Sequence, residues 1–192
     1  MDHFLDLDTI RAEMTGPHPS GRMTPEELGD NVARLVWESF SDFLVDPQLL
    51  ASLRGMGIPI EEGVPQERAA EELLIFHMWT HSRAIELSFH RRVPPEAIRR
   101  ALDHLHRAIF EDMVTNGTPR PQIPVFEQRV SARYAEYRAA AEETDARVGE
   151  VAVEHLGGSG ESPAAARRLT DRAVEMANPL RDYLEGVDLV AD

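Results

Sequence analysis

Residues 68–92 read RAAEELLIFHMWTHSRAIELSFHRR, and this stretch decides the fold of the 192-residue chain. At 3.6 residues per turn its apolar side chains surround most of the circumference, so the spacing predicts one long α-helix. A helix that is apolar on nearly every side lies inside a protein, because burial removes that surface from water. We therefore expect residues 68–91 to form a central apolar helix with the other elements packed around it.

Proline, glycine and capping residues divide the rest of the chain into further helices. Thr24-Pro25-Glu26-Glu27 has the pattern of a capping box with proline in the first turn, which predicts a helix from Thr24 to about Val45. Similar signals predict helices from Asp46 to Gly55, from Pro95 to Asn116, from Val125 to Leu156, from Ser162 to Ala177 and from Pro179 to Glu185. No stretch alternates apolar and polar residues for long, so no sheet is expected.

The longest flanking helices are amphipathic. Apolar residues recur at steps of three and four within 24–45, 95–116 and 125–156, so each helix has one face suited to a core. Three such helices around an apolar one predict an all-α fold, a single-domain bundle of five to six main helices over residues 21–192. Residues 1–20 are expected to form a flexible N-terminal arm.

Composition and charge exclude several classes of chemistry and partner. The chain has no cysteine and no lysine, which excludes disulfides, thiolate metal sites, Schiff bases and a P-loop lysine. Its formal net charge of −14 is divided as −8 in residues 1–66, +1 in residues 67–138 and −7 in residues 139–192. Such acidity disfavours nucleic acid as a partner. Because no signal peptide and no apolar run of membrane-spanning length is apparent, we expect a cytoplasmic protein that does not enter the membrane.

Four histidines are the candidates for site chemistry. His77 and His81 stand one turn apart on a single strip of the central helix, and imidazoles at this spacing can ligate one divalent metal ion. His155 lies on the apolar stripe of the 125–156 helix, and His106 lies at the margin of the apolar face of its helix, so either could supply a third ligand. The alternative is that these imidazoles are packed inside and satisfied by carbonyl groups, carboxylates or water.

The spacing of His77 and His81 also resembles that of two of the three metal-ligating histidines in the DinB-type helical bundles. The resemblance covers these two residues. In that family the paired histidines come late in the chain and the third ligand comes earlier, whereas here the candidates for a third ligand, His106 and His155, come later. The resemblance implies a metal-binding bundle.

The motifs of several enzyme classes are missing, because the chain has no G-x-S-x-G elbow, no glycine-rich phosphate loop after a strand and no Glu-x-x-His pair. Trp79 lies off the histidine strip, so we expect its side of the helix to be either a second buried face or a subunit contact. We therefore expect a non-enzymatic protein that acts through contacts with itself or another protein. The alternative is a metal- or small-ligand-binding bundle, a hydrolase or transferase among the options, that uses His77 and His81.

Overall fold

The computed structural model describes residues 21–157 and 162–190, and this part of the chain is built from α-helices, as the sequence predicts. The helices are α1 (Pro25–Leu44), α2 (Pro47–Gly55), α3 (Glu67–Phe89), α4 (Pro95–Thr115), α5 (Ile123–Glu143), α6 (Asp145–His155) and α7 (Pro163–Glu185), with a 3₁₀ turn at Arg120–Gln122. Five of these helices are long, in agreement with the expected five to six main helices, and α2 and α6 are short. The predicted arm, residues 1–20, lies outside the described residues.

Two minimal strand pairs correct the expectation that the chain has no sheet. Strand β1 (Arg22–Met23) pairs in parallel with β4 (Asp188–Leu189), which joins the start of the described chain to its end. Strands β2 (Ile60–Glu61) and β3 (Val64–Pro65) form an antiparallel pair across a turn. Each strand has only two residues, too few for the alternation by which a strand is recognised in a sequence.

Helix α3 is the central helix. All of its residues from Glu72 to Ser82 are buried, polar ones included, and it packs against α1, α4, α5, α6 and α7. The apolar circumference of the sequence therefore corresponds to neighbours on every side. No helix in residues 21–157 or 162–190 has an apolar stretch long enough to cross a membrane.

The prediction of a single helix from Val125 to Leu156 is wrong, because the helix is interrupted at Thr144. This residue is extended (φ −159°, ψ 156°), and its hydroxyl accepts a hydrogen bond from the backbone N–H of Arg147 at 3.2 Å. Threonine at a helix start satisfies a backbone donor that has no partner inside the helix. Thr144 is thus the N-cap of α6, although its position in the periodic stripe made it look like a helix interior.

The break expected at Asn178-Pro179 is also wrong, because α7 continues through Pro179 to Glu185. Proline removes one N–H bond to the preceding turn, which disfavours a helix interior. Met176, Leu180 and Leu184 are buried at steps of four on either side of this position. Burial of this continuous face stabilises the helical path, so packing overrides the local signal.

Candidate functional site

The two histidines of the central helix lie fully inside the protein. His77 is 0% exposed and His81 is 3% exposed. The Nδ1 atom of His77 lies 2.8 Å from the carbonyl oxygen of Leu73, and that of His81 lies 2.8 Å from the carbonyl oxygen of His77. A carbonyl oxygen only accepts, so each Nδ1 carries a proton and donates it. Each neutral ring therefore has its lone pair on Nε2.

Aromatic rings surround His77. Its ring centroid lies 5.3 Å from that of Phe43, 5.8 Å from that of Phe76 and 5.9 Å from that of Phe40. Its Nε2 is buried and has no hydrogen-bond partner in the described part of the chain. Burial in this apolar setting disfavours the charged form and lowers the pKa of His77 to about 3 and that of His81 to about 4. Both imidazoles are neutral at pH 7.

A positive charge on α7 reinforces this neutrality. Arg172 donates to the backbone carbonyl of Ser39 at 2.6 Å, and its guanidinium carbon lies 5.3 Å from the ring centroid of Phe43, the same ring that contacts His77. Its charge adds to the lowering of the pKa of both His77 and His81, and it disfavours a second cation there in the same way. Nothing in the sequence points to this neighbour, because α7 lies about ninety residues further along the chain.

His106 belongs to a separate hydrogen-bonded line. Its Nδ1 donates to the carbonyl of Leu102 at 2.6 Å, and its Nε2 accepts from the hydroxyl of Tyr134 at 2.9 Å. The Tyr134 oxygen in turn lies 3.2 Å from Oγ of Ser82. Helices α4, α5 and α3 are thus joined by polar contacts, and burial lowers the pKa of His106. Sequence reasoning missed Tyr134 and Ser82 as its partners.

An open groove of about 830 Å³ lies between the C-terminal half of α4 and the start of α5, with His106 in its wall. We call it the α4–α5 groove. Its apolar lining comes from Phe110, Val114, Ile123 and Pro124. Charges of both signs surround this lining, from Asp103, Arg107, Glu111, Arg120 and Glu127. Within residues 21–157 and 162–190 these five side chains form no salt bridge.

His155 lies in a third network, at the end of α6. Its Nε2 contacts a carboxylate oxygen of Glu136, whose other oxygen lies 3.4 Å from the guanidinium of Arg133. Arg133 makes its main contacts with the buried Glu72. His106 and His155 therefore have partners different from each other's and from those of His77 and His81. Among the described residues no group of three or more histidine, aspartate or glutamate side chains is placed to hold a metal ion.

Trp79 occupies a buried face inside one chain. It is 8% exposed, and its ring centroid lies 5.4 Å from that of Tyr137 on α5. Of the two alternatives left open by the sequence, a buried face and a subunit contact, the structure places Trp79 in the first.

Comparison with known proteins identifies no relative. No protein-family model matches the chain, and neither a curated protein nor a solved structure is detectably similar to it.

Proposed function

We propose that this protein acts through protein contacts without catalysis, and that it pairs with a second copy of itself through the α4–α5 groove. The observation that carries the proposal is the set of unpaired charges of both signs around an apolar lining in the described structure. Unpaired arginines and carboxylates on one rim leave both kinds of charge available to a partner. A partner that offers both signs and an apolar surface is another protein.

The distribution of net charge supports a second copy as that partner. The chain carries −14 overall, so most surfaces of two copies repel each other. Residues 67–138, which supply every lining residue of the groove, carry a net charge of only +1. Two copies therefore meet with the least repulsion at this face.

The rim is also suited to a two-fold axis. In a symmetric dimer a contact of residue i in one copy with residue j in the other is repeated as a contact of j with i, so a pair away from the axis occurs twice. Arg107 and Arg120 of one copy can pair with Glu111 and Glu127 of its partner, while Phe110 and Ile123 form the apolar centre. This arrangement gives salt-bridge partners to charges that have none within the described part of one chain.

Light scattering during gel filtration tests the proposal, over a range of protein concentrations. We expect a dimer for the natural chain and a monomer for the double variant Arg107→Glu plus Arg120→Glu. Mixing this variant with Glu111→Arg plus Glu127→Arg should restore a mixed dimer, because the charges are then complementary again. The matched control is Arg54→Glu plus Arg167→Glu, which makes the same change in net charge at exposed positions outside the groove. A natural chain that stays monomeric at every concentration overturns the proposal.

A metal-binding role for His77 and His81 is the second candidate. One observation favours it: both Nδ1–H groups donate to backbone carbonyls, as they do in metal-ligating imidazoles, and Nε2 of His77 has no partner in the described structure. Metal analysis of untagged protein tests it. Stoichiometric zinc, nickel, iron or manganese that is lost in His77→Ala plus His81→Ala, and kept in the control His104→Ala, would support this role. Metal-free natural protein would oppose it.

A further inference from the structure

An apolar and basic surface lies at the C-terminal end of α3. Leu87 is 60% exposed, and it lines a shallow cavity of about 490 Å³ together with Ile98, Arg83, Glu86, His90 and Arg138. We call these six residues the Leu87 patch. Leu87 and the half-buried Ile98 form the apolar part of this charged surface.

The charge of the Leu87 patch is positive. Arg83 and Arg138 both contact the same carboxylate, that of Glu86, at 3.4 Å each, so one acidic group faces two guanidinium groups. Arg91 follows the helix and has no salt-bridge partner in the described chain. An acidic segment with an apolar side matches this surface in charge and in chemistry.

Gly21, to which the N-terminal segment of the same chain is joined, lies at this end of the molecule. The carbonyl of Gly21 accepts a hydrogen bond from the N–H of Asp188 at 3.3 Å. The carbonyl of Val187, the residue before β4, accepts a hydrogen bond from Arg92 at 3.0 Å, and Arg92 also donates to the carbonyl of Ser88 at 3.2 Å. Gly21 is therefore connected through three residues, Asp188, Val187 and Arg92, to Ser88, which follows Leu87 in α3.

The sequence of this segment has the complementary pattern. Residues 2–14 read DHFLDLDTIRAEM, with four acidic residues and one arginine. Phe4, Leu7, Ile10 and Met14 are spaced at three, three and four, which places them on one side of a helix. The six residues from 15 to 20 span up to about 20 Å when extended, which is enough to reach from Gly21 across the patch.

We propose that residues 2–14 dock on the Leu87 patch of their own chain, with their apolar side against Leu87 and Ile98 and their carboxylates facing Arg83 and Arg138. This contact covers the apolar surface that the described residues leave exposed. It is a separate surface from the α4–α5 groove, and the two share no lining residue.

Hydrogen exchange of the full chain, followed by mass spectrometry, tests the docking. We expect backbone amides of residues 4–14 to exchange at least about tenfold more slowly than in an unstructured peptide. The variant Leu87→Asp should bring them back to the unstructured rate. Its matched control is Val174→Asp, a change at another exposed apolar residue (52% exposed) on α7, which should keep the protection.

The outcomes separate this inference from the proposed dimer. Docking within one chain is supported if the amides of residues 4–14 remain protected from exchange in the variant Arg107→Glu plus Arg120→Glu. The protection should also be the same at every protein concentration. The docking proposal is overturned if the amides of residues 4–14 exchange at the unstructured rate in the natural chain. It is also overturned if these amides stay protected from exchange in Leu87→Asp as they do in Val174→Asp. Protection that grows with concentration assigns the segment to a second copy and also overturns it.

Discussion

The carboxylate of Glu72 on α3 accepts two hydrogen bonds from the guanidinium of Arg133 on α5. The Nε–Oε2 distance is 2.9 Å and the Nη2–Oε1 distance is 3.2 Å. The Glu72 side chain is 2% exposed and that of Arg133 is 17% exposed, so this two-point pair joins the central helix to its neighbour away from bulk water. The pairing raises the pKa of Arg133.

Removal of one member of this pair should destabilise the fold strongly. Arg133→Met leaves the Glu72 carboxylate buried without its partner, and we expect the free energy of unfolding to fall by about 3–5 kcal/mol. Urea denaturation measures the change. The control Arg138→Met breaks an exposed pair with Glu86 and should cost less than about 1 kcal/mol. If the double variant Glu72→Met plus Arg133→Met is as unstable as Arg133→Met alone, the buried charge is not the cause.

Stability should fall as the pH is lowered from 6.5 towards 4. The pKa values of His77 and His81 lie at about 3 and about 4 in the folded chain, below the ordinary value of 6.5. In this window the unfolded chain binds protons that the folded chain does not, so acid favours unfolding, by up to about 1.4 kcal/mol per pH unit for each histidine. His106 adds in the same direction.

Urea denaturation of metal-free protein between pH 6.5 and 5 measures this slope. The lowered pKa values of Glu26 and Asp46 matter only at more acidic pH, because their ordinary values are 4.5 and 3.8. In the variant His81→Gln the free energy of unfolding should depend less steeply on pH, by about 1.4 kcal/mol per pH unit, because one titrating histidine has been removed. A stability that stays level or rises on acidification would contradict the prediction.

The two tyrosines of α5 should respond differently to loss of the hydroxyl group. Tyr134 contacts both His106 and Ser82 through its hydroxyl, whereas the buried hydroxyl of Tyr137 has no partner in the described chain. Tyr134→Phe leaves two polar groups without that partner and should cost about 1–2 kcal/mol. Tyr137→Phe removes an unsatisfied group and should be neutral or stabilising. Thermal unfolding of both variants checks the prediction, and equal losses would refute it.

Gly149 should tolerate no side chain. A Cβ at this position would overlap the backbone carbonyl of Ala166 and the hydroxyl of Thr170 on α7. Gly149→Ala should therefore separate α6 from α7 and cost about 1–3 kcal/mol. The matched change is Gly55→Ala at the end of α2, where a Cβ has no atom within 4 Å. It should raise the free energy of unfolding by about 0.5–1 kcal/mol. The denaturant midpoints of Gly149→Ala and Gly55→Ala compare the two changes. A Gly149→Ala variant as stable as the natural chain would mean that α6 and α7 do not approach each other this closely.

Local signals predicted the helices well where packing agreed with them. The capping box at Thr24 is present, with both reciprocal hydrogen bonds, and the apolar stretch 68–91 is the buried helix α3. The two errors in the predicted helices, at Thr144 and Pro179, arose where a residue's local preference did not decide its conformation. Thr144 caps a helix within a periodic stripe, and Pro179 lies between buried residues that continue α7.

The sequence by itself determined the all-α fold, the central position of residues 68–91 and the pairing of His77 with His81, because these follow from periodicity and helical geometry over a few residues. Only the tertiary structure decided what surrounds each imidazole: Arg172 near His77 and His81, Tyr134 at His106 and Glu136 at His155. These contacts join different helices. Their formation depends on how the apolar faces of the helices pack together, which no local sequence pattern encodes.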